Sequence, residues 1–141
     1  MTSVQITRVL AAPPERVWAA FTEPAALTVW FWPARLSPAV SAEVRVGGAY
    51  RIEGTGMAVS GVYLEVEPLR RLVFTWRWDG DETESLVTLE LEGYDGKTAL
   101  SLRHDRLATA VERDSHAQGW NDCLDRLPSV LSDDVHRSHR P

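Results

Sequence analysis

The sequence predicts an α+β domain in which an antiparallel sheet packs against one long C-terminal helix. Residues 41–105 alternate apolar and polar side chains with a period of two, which is typical of strands that bury one face. Short turns such as Asp79 and Gly80 separate these strands, so consecutive strands are expected to pair as an antiparallel meander. Residues 114–131 instead place their apolar side chains at helical spacing. This helix is therefore expected to cover the apolar face of the sheet.

The N-terminal segment is predicted to form one strand followed by two short helices. The stretch "SVQITRVLAA" is rich in apolar and β-branched residues and predicts the first strand. The stretch "PPERVWAAF" then has helical spacing, with Pro14 suited to a first turn. Thr22 is predicted to cap a second helix that ends by Trp32, because the proline after Trp32 lacks an amide hydrogen. Trp30 is expected to pack inward, and Phe31 and Trp32 are expected at the rim of an interior space.

The meander is predicted to present one apolar face to the helix. In "EVRVGGAYRIEG" two strands are expected around a turn at Gly47 and Gly48, and in "GVYLEVEP" the apolar face is expected to carry Val62, Leu64 and Val66. The later strands follow the same rule, and Thr75 is expected on their polar face. Their predicted inward residues are Leu72, Phe74, Trp76, Trp78, Val87, Leu89, Leu91, Leu100, Leu102 and His104.

The C-terminal helix is predicted from the stretch "DSHAQGWNDCLDRLPSVLSDD". Asp114 or Ser115 is expected to cap it, and Pro128 is expected to kink it or break off its last turn. Residues 1–131 are interpreted as a single domain, and the polar residues 132–141 as a flexible tail. The predicted inward stripe of the helix consists of His116, Trp120, Leu124, Leu127 and Leu131.

Composition excludes several classes of protein. The 141 residues are 44% hydrophobic and 25% charged, as in ordinary globular proteins. The net charge of −5 and the scattered arginines argue against a nucleic-acid partner. No apolar run is long enough to span a membrane and the N-terminus does not resemble a signal peptide, so a cytoplasmic location is expected. The single cysteine, Cys123, excludes an internal disulfide, and its acidic neighbours argue against a nucleophilic role.

Five short motifs resemble one family. The first helix opens with "APPERVW", the second closes with Trp30 and Phe31, a glycine pair follows at residues 47 and 48, a strand reads "GVYLEV", and the last helix carries "GWNDCLDRL". In this order they resemble the START-like (SRPBCC) superfamily, and within it the branch named after the activator of the heat-shock protein 90 ATPase. The resemblance implies the helix-grip fold, a curved sheet wrapped around the last helix, with a cavity between them. It also implies binding of apolar molecules or, in a minority of members, cyclase and related activities. The sequence lacks the additional N-terminal domain of the eukaryotic co-chaperones, so the resemblance does not carry co-chaperone activity with it.

The sequence therefore leads to a ligand-binding hypothesis with two alternatives. The leading hypothesis is a binder of a small apolar or amphipathic molecule, with no cofactor and no metal, and with glycines 54, 56 and 61 leaving room in the cavity. The first alternative is an enzyme of the cyclase or hydratase type that uses His104, His116 or Tyr50 for proton transfer. The second is a module that interacts with a chaperone. A monomer or a homodimer is expected, and the tryptophans could also fill the cavity. The candidate lining residues are Trp30, Phe31, Trp32, Tyr50, Trp76, Trp78, Leu89, Leu102, His104, His116, Trp120 and Leu124.

Overall fold

The computed structural model describes residues 2–139, with side chains for residues 2–131. The predicted flexible tail, and His136 and His139, which are spaced like a metal-binding pair, lie outside the residues whose side chains are described. The elements follow the predicted order: β1 Thr2–Leu10, α1 Pro14–Thr22, α2 Pro24–Trp30, a 3₁₀ turn Ala34–Leu36, β2 Ala39–Ala42, β3 Ala49–Gly54, β4 Met57–Glu67, β5 Arg71–Trp78, β6 Ser85–Tyr94, β7 Lys97–Leu107 and α3 Ala110–His139.

The seven strands form one antiparallel sheet in the order β1-β7-β6-β5-β4-β3-β2. Five of the six pairings join consecutive strands, and the sixth places β1 beside β7. Local chemistry fixes the two-residue turn between β6 and β7, because Asp95 and Gly96 both have positive φ, the requirement of a type I′ hairpin turn. The curved sheet, the long C-terminal helix and the two short helices after β1 confirm the predicted α+β fold.

The two short helices place a tryptophan in the core. Pro14 and Pro24 each lie in a first turn, where the missing amide costs nothing. Thr22 does not cap α2 as predicted; it is the last residue of α1, and its hydroxyl donates to the Trp18 carbonyl. Trp30 is fully buried, and its Nε1–H donates to the Ala20 carbonyl at 2.9 Å. The predicted inward position of Trp30 is confirmed.

The last helix begins earlier than predicted. Thr109 Oγ1 accepts the Glu112 backbone N–H at 3.1 Å, and the Glu112 carboxylate accepts the Ala108 N–H at 3.2 Å. Thr109 is therefore the N-cap, in a variant of the capping box in which Glu112 bonds the amide of the preceding residue, and the predicted caps at Asp114 and Ser115 are wrong. The helix continues past Pro128, with buried Leu127 on one side of the proline and buried Leu131 on the other. Packing on both sides of the proline holds the chain helical, although one backbone hydrogen bond is lost.

The face predicted for β4 is wrong over part of the strand. Tyr63 is buried, whereas Val62 and Leu64 are 38% and 47% exposed. Tyr63 pairs with Phe74 of β5, and a bulge between Tyr63 and Glu65 then turns Val66 back towards the core. Because β4 carries apolar residues on both faces, its alternation alone does not identify the inner face.

The strand before the glycine pair also lies elsewhere than predicted. β2 ends at Ala42 and pairs with β3, so Val44 and Val46 follow the strand rather than form it. Val46 is 65% exposed. The turn at Gly47 and Gly48 is confirmed, with Gly47 at φ +85°. The turn was predicted correctly because its positive φ favours glycine, whereas no residue type marks the end of β2.

Candidate functional site

A pocket of about 340 Å³ opens between the end of α2, the first half of α3 and the end of β5. This volume falls at the low end of small-molecule sites, which span about 300–1,000 Å³. Its wall is aromatic, and its edge carries polar and charged groups. The aromatic wall consists of Phe31, Trp32, Trp76, Trp78, His116 and Trp120, and the remaining lining residues are Pro33, Arg35, Leu36, Met57, Ser115, Gly119, Asp122, Cys123 and Arg126.

The rings of the wall support one another. Trp32 stacks on Trp78 with centroids 6.0 Å apart and an interplanar angle of 10°. Trp76 lies 5.4 Å from both Trp78 and Trp120, and Phe31 meets Trp120 edge-on at 5.5 Å. Such offset and edge-to-face contacts are the favourable aromatic geometries. The wall is therefore already packed before any ligand enters.

Phe31 and Trp32 form this wall rather than an exposed rim. They are only 4% and 6% exposed, so they are more buried than the sequence predicts. Gly54 makes room for Trp32, because a Cβ at Gly54 would lie 3.0 Å from the indole ring. Trp78, which the sequence places near a turn, is half-buried and lines the pocket.

The other two glycines assigned to the cavity have different roles. A Cβ at Gly61 would lie 2.0 Å from the Thr75 carbonyl oxygen, to which the Tyr50 hydroxyl donates. Gly56 has φ +79° and belongs to the turn between β3 and β4. None of glycines 54, 56 and 61 leaves room in the cavity, and Thr75 is buried rather than solvent-facing as predicted.

The predicted lining residues divide into three groups. Six of them, the aromatic wall, line the pocket. Tyr50 borders a separate void of about 30 Å³, which is room for roughly one water molecule and is shared with Phe31 and Trp76. The remainder lie in the closed core and line none of the described pockets: Trp30, Leu89, Leu102, His104 and Leu124.

Both ring nitrogens of His104 are hydrogen-bonded. Trp120 Nε1–H donates to His104 Nδ1 at 3.0 Å, and His104 Nε2 lies 2.6 Å from Ser85 Oγ. The hydrogen-bond network assigns the Nε2–H tautomer, so that Nε2–H donates to Ser85, whose hydroxyl donates to the Trp76 carbonyl. Burial, with a smaller contribution from His116, lowers the pKa of His104 to about 3. A neutral, fully bonded imidazole has no nitrogen left for proton transfer.

His116 is the more accessible of the two histidines. Its ring centroid lies 4.5 Å from that of His104, and its Nε2 accepts the Trp78 Nε1–H at 3.4 Å. Burial lowers the pKa of His116, while Glu112 and Asp81 oppose that effect. The imidazole is therefore neutral at pH 7 and adds a polar edge to the wall, next to Trp78.

Two residues of α3 bind the end of α2. Arg126 Nε–H donates to the Trp30 carbonyl at 2.9 Å, and its Nη2 donates to the Phe31 carbonyl at 2.8 Å. The Cys123 thiol donates to the same Phe31 carbonyl at 2.7 Å. Burial first, and Asp122 second, raise the pKa of Cys123 to about 12, while Arg126 opposes them. The thiol stays protonated, and Arg126 places a positive charge in the pocket wall.

Sequence reasoning missed Arg126 and Arg35, because isolated arginines in an arginine-rich chain carry no positional signal.

A larger concavity of about 580 Å³ lies across β1, β6, β7 and the turn before β5. No aromatic residue lines it, and Arg71 there is paired with Glu65 and Glu90. Three arginines and three glutamates line it, so it has no net charge to attract an ionic ligand, and the aromatic pocket is the stronger candidate site.

Two features are absent from the described part of the chain. Among residues 2–139, no helix is both long and apolar enough to cross a membrane. Within the same residues, no three His, Cys, Asp or Glu side chains group in a way that could hold a metal ion.

The comparison with protein families gives one match. The model for Activator of Hsp90 ATPase homolog 1-like protein matches residues 11–132. None of the curated proteins compared with the chain matches it.

Solved structures share the fold over nearly the whole chain. Protein CV1439 from Chromobacterium violaceum is 30% identical, with a TM-score of 0.80 over 92% of this chain and 96% of that chain. DynU16, a protein in the dynemicin biosynthetic locus, is 28% identical, with a TM-score of 0.81 over 92% of this chain and 47% of its own. An HSP90 activator from Plasmodium falciparum, at 22% identity, has a TM-score of 0.78 over 94% of this chain and 97% of its own, and its likeness concerns the fold alone.

Proposed function

Because the chain belongs to the family of Activator of Hsp90 ATPase homolog 1-like proteins, we propose that it binds a small amphipathic molecule in the aromatic pocket. The observation that carries the proposal is a pocket of about 340 Å³ whose wall holds four of the six tryptophans of the chain. Three of these tryptophans are buried by their neighbours and Trp78 is half-buried, yet all four border the open space of the pocket. The small volume favours a compact ring system over a long acyl chain. We place this binding in the cytoplasm.

Gly119 supports the proposal from the helix side. Glycine within a helix costs about 1 kcal/mol relative to alanine, so its position in the middle of α3 needs a reason. A Cβ built there would meet no heavy atom within 4 Å, so close packing is not that reason. Gly119 lines the pocket, and a side chain at this position would occupy pocket space.

The expected free energy of ligand binding corresponds to a modest affinity. Burying roughly 200 Å² of apolar ligand surface contributes about 5 kcal/mol, and aromatic contacts with the wall add to it. Association costs offset much of that gain, and the wall is already packed, which reduces the cost of ordering side chains. Dissociation constants in the micromolar range are expected for a compact aromatic probe.

The enzyme alternative loses support because two of its three proton-transfer groups are committed elsewhere. His104 is bonded on both nitrogens. The Tyr50 hydroxyl donates to the Thr75 carbonyl at 2.5 Å, and burial raises the pKa of Tyr50 far above its ordinary value. Only His116 remains at the pocket. The chaperone alternative rests on the family name, and no contact described above favours it over a small ligand.

The test is native mass spectrometry of protein purified without detergent, followed by identification of any released molecule. Titration calorimetry with 2-naphthoate and 2-naphthamide complements it. Gly119→Leu fills the pocket, and Gly119→Ala is the matched control because it makes the same change in helix propensity with little added volume. Binding that Gly119→Leu abolishes and Gly119→Ala retains supports the proposal. A protein without a co-purified molecule that binds neither probe would overturn it.

A further inference from the structure

The charged residues of the pocket wall indicate which end group its ligand carries. Arg35 and Arg126 line the pocket, and Asp122 is the one carboxylate that does so among the described residues. Gln118 Nε2 donates to Asp122 at 3.0 Å, at an exposed position. His116 is neutral, so the wall has an excess of one positive charge, in a protein whose net charge is −5.

Arg126 is held in place without a carboxylate. Six arginines of the described chain pair with carboxylates within 4.0 Å, and Arg126 and Arg35 are not among them. Arg126 is half-buried, and its Nε and Nη2 bond the carbonyls of Trp30 and Phe31. These bonds fix the guanidinium without neutralising it. Its Nη1 has no hydrogen-bond partner among the described residues, so the N–H groups of this nitrogen are available to a ligand.

A second group in the wall also lacks an acceptor. Trp76 is 4% exposed, and its Nε1–H is the one buried side-chain polar atom among the described residues without a hydrogen-bond partner. A buried donor left unpaired costs about 1–3 kcal/mol. Trp78 and Trp120 both donate to histidines, whereas the indole N–H groups of Trp32 and Trp76 have no acceptor among the described residues, and of these two the buried one is that of Trp76. The donors and the positive charge that the wall offers to a ligand therefore come from Arg126 and Arg35, and their complement is a group of acceptors with a negative charge.

We infer that the ligand of this pocket is a carboxylate, with Arg126 as its main anchor, Arg35 as a second cation and an apolar ring system against the tryptophans. The inference rests on the proposed function. A monoanion is favoured over a phosphate dianion because the wall exceeds neutrality by one charge and carries Asp122. Arginine suits this role because its planar fork matches a carboxylate and its charge persists at every physiological pH.

The test compares 2-naphthoate with 2-naphthamide by titration calorimetry at pH 7, because the two share size and ring and differ in charge. We expect the wild-type protein to bind the naphthoate at least about tenfold more tightly. Arg126→Gln should bring the two affinities within about twofold of each other, because it should weaken naphthoate binding much more than naphthamide binding. Arg35→Gln should weaken naphthoate binding about threefold. Arg126→Lys keeps the charge and should retain part of the preference.

Controls separate a local effect from a general one. Arg70→Gln makes the same charge change at an exposed position outside the pocket and should leave both affinities unchanged. A thermal melt of Arg126→Gln identifies any loss of folding, because this residue also binds α2. Equal binding of the two probes overturns the carboxylate inference and leaves the proposed function standing. Tighter binding of 2-naphthyl phosphate than of naphthoate overturns the choice of carboxylate. Binding of neither probe overturns the inference, and the proposed function is overturned with it when no molecule co-purifies with the protein.

Discussion

The space between the sheet and α3 is closed at one end and open at the other. Towards the second half of α3 it is filled by leucines, and those at 72, 89, 100, 102, 124 and 127 are all 1% exposed or less. Towards the first half of α3 it is bordered by tryptophans around a pocket of about 340 Å³. Leucines interdigitate without polar requirements. Indoles are rigid plates whose N–H groups need acceptors, so their positions are set by hydrogen bonds as well as by packing.

The two ends use the same sequence pattern. Leu72 and Trp76 lie on the same face of β5, and Trp120 and Leu124 are one turn apart on α3. Both pairs are buried. Periodicity therefore identifies which face turns inward, and the shape and polarity of each side chain decide whether the interior closes.

The largest effect is expected at the closed end. Leu124→Ala should lower the free energy of unfolding by about 2–5 kcal/mol, because it opens a cavity in a fully packed core. Met57→Ala, at a half-buried residue of the pocket, should cost less than half as much. Urea denaturation followed by circular dichroism measures both values. Equal costs at the two positions would contradict the contrast between a closed and an open end.

A smaller effect on the free energy of unfolding is expected when the pH is lowered, because His104 lies between the two ends. The pKa of His104 falls from an ordinary value of about 6.5 to about 3 on folding, so the unfolded chain binds the proton more tightly. Stability is fully present above pH 6.5 and is lost as the pH falls from there towards 3. From pH 7 to pH 5 this residue should lower the free energy of unfolding by about 2 kcal/mol.

His104→Gln isolates this contribution from that of other groups. The variant lacks the titrating imidazole, so its unfolding free energy should fall by a smaller amount over the same interval. Urea denaturation at pH 7, 6 and 5 gives the comparison. Parallel pH profiles for the two proteins would show that His104 titrates normally and that its hydrogen bonds do not hold it neutral.

The smallest effect is expected at the open end. Gly119→Ala should raise the free energy of unfolding by about 0.5–1 kcal/mol, because alanine loses less backbone entropy in a helix and its methyl group meets no neighbour. Gly93→Ala is the opposing control, since a Cβ there would lie 2.6 Å from the ring of Pro14. Thermal melts should shift upward for the first variant and downward for the second. A loss of stability in Gly119→Ala would mean that the space above this residue is not open.

The sequence predicted most of the fold because its strongest signals are local. Asp95 and Gly96 select a hairpin turn, Pro14 and Pro24 select first helical turns, and the strict alternation of β6 identifies its inner face. Predictions failed where a neighbouring element decides the outcome. The inner face of β4 depends on its pairing with β5 and on a bulge, neither of which leaves a trace in the alternation of β4.

The aromatic part of the candidate site was predicted from the sequence, and its charged part was not, for a similar reason. The aromatic wall follows from inward-facing tryptophans, which periodicity locates. The cations do not, because Arg126 reaches the pocket by bonding two carbonyls more than ninety positions earlier in the chain. Leu89 and Leu102 were included because they face inward, yet they line no pocket among the described residues. An inward direction does not distinguish a residue that fills space from one that borders it.

The link between α3 and α2 has an evolutionary consequence. Arg126 and Cys123 bond the main-chain carbonyls of Trp30 and Phe31, and every amino acid presents that same carbonyl. The side chain at position 31 can therefore be exchanged in the course of divergence while the attachment of α2 to α3 persists. At position 31 the side chain contributes to ligand preference, and the main-chain carbonyl contributes to the attachment of α2 to α3. Relatives that keep the arginine and vary the ring at position 31 would share one scaffold and differ in what they bind.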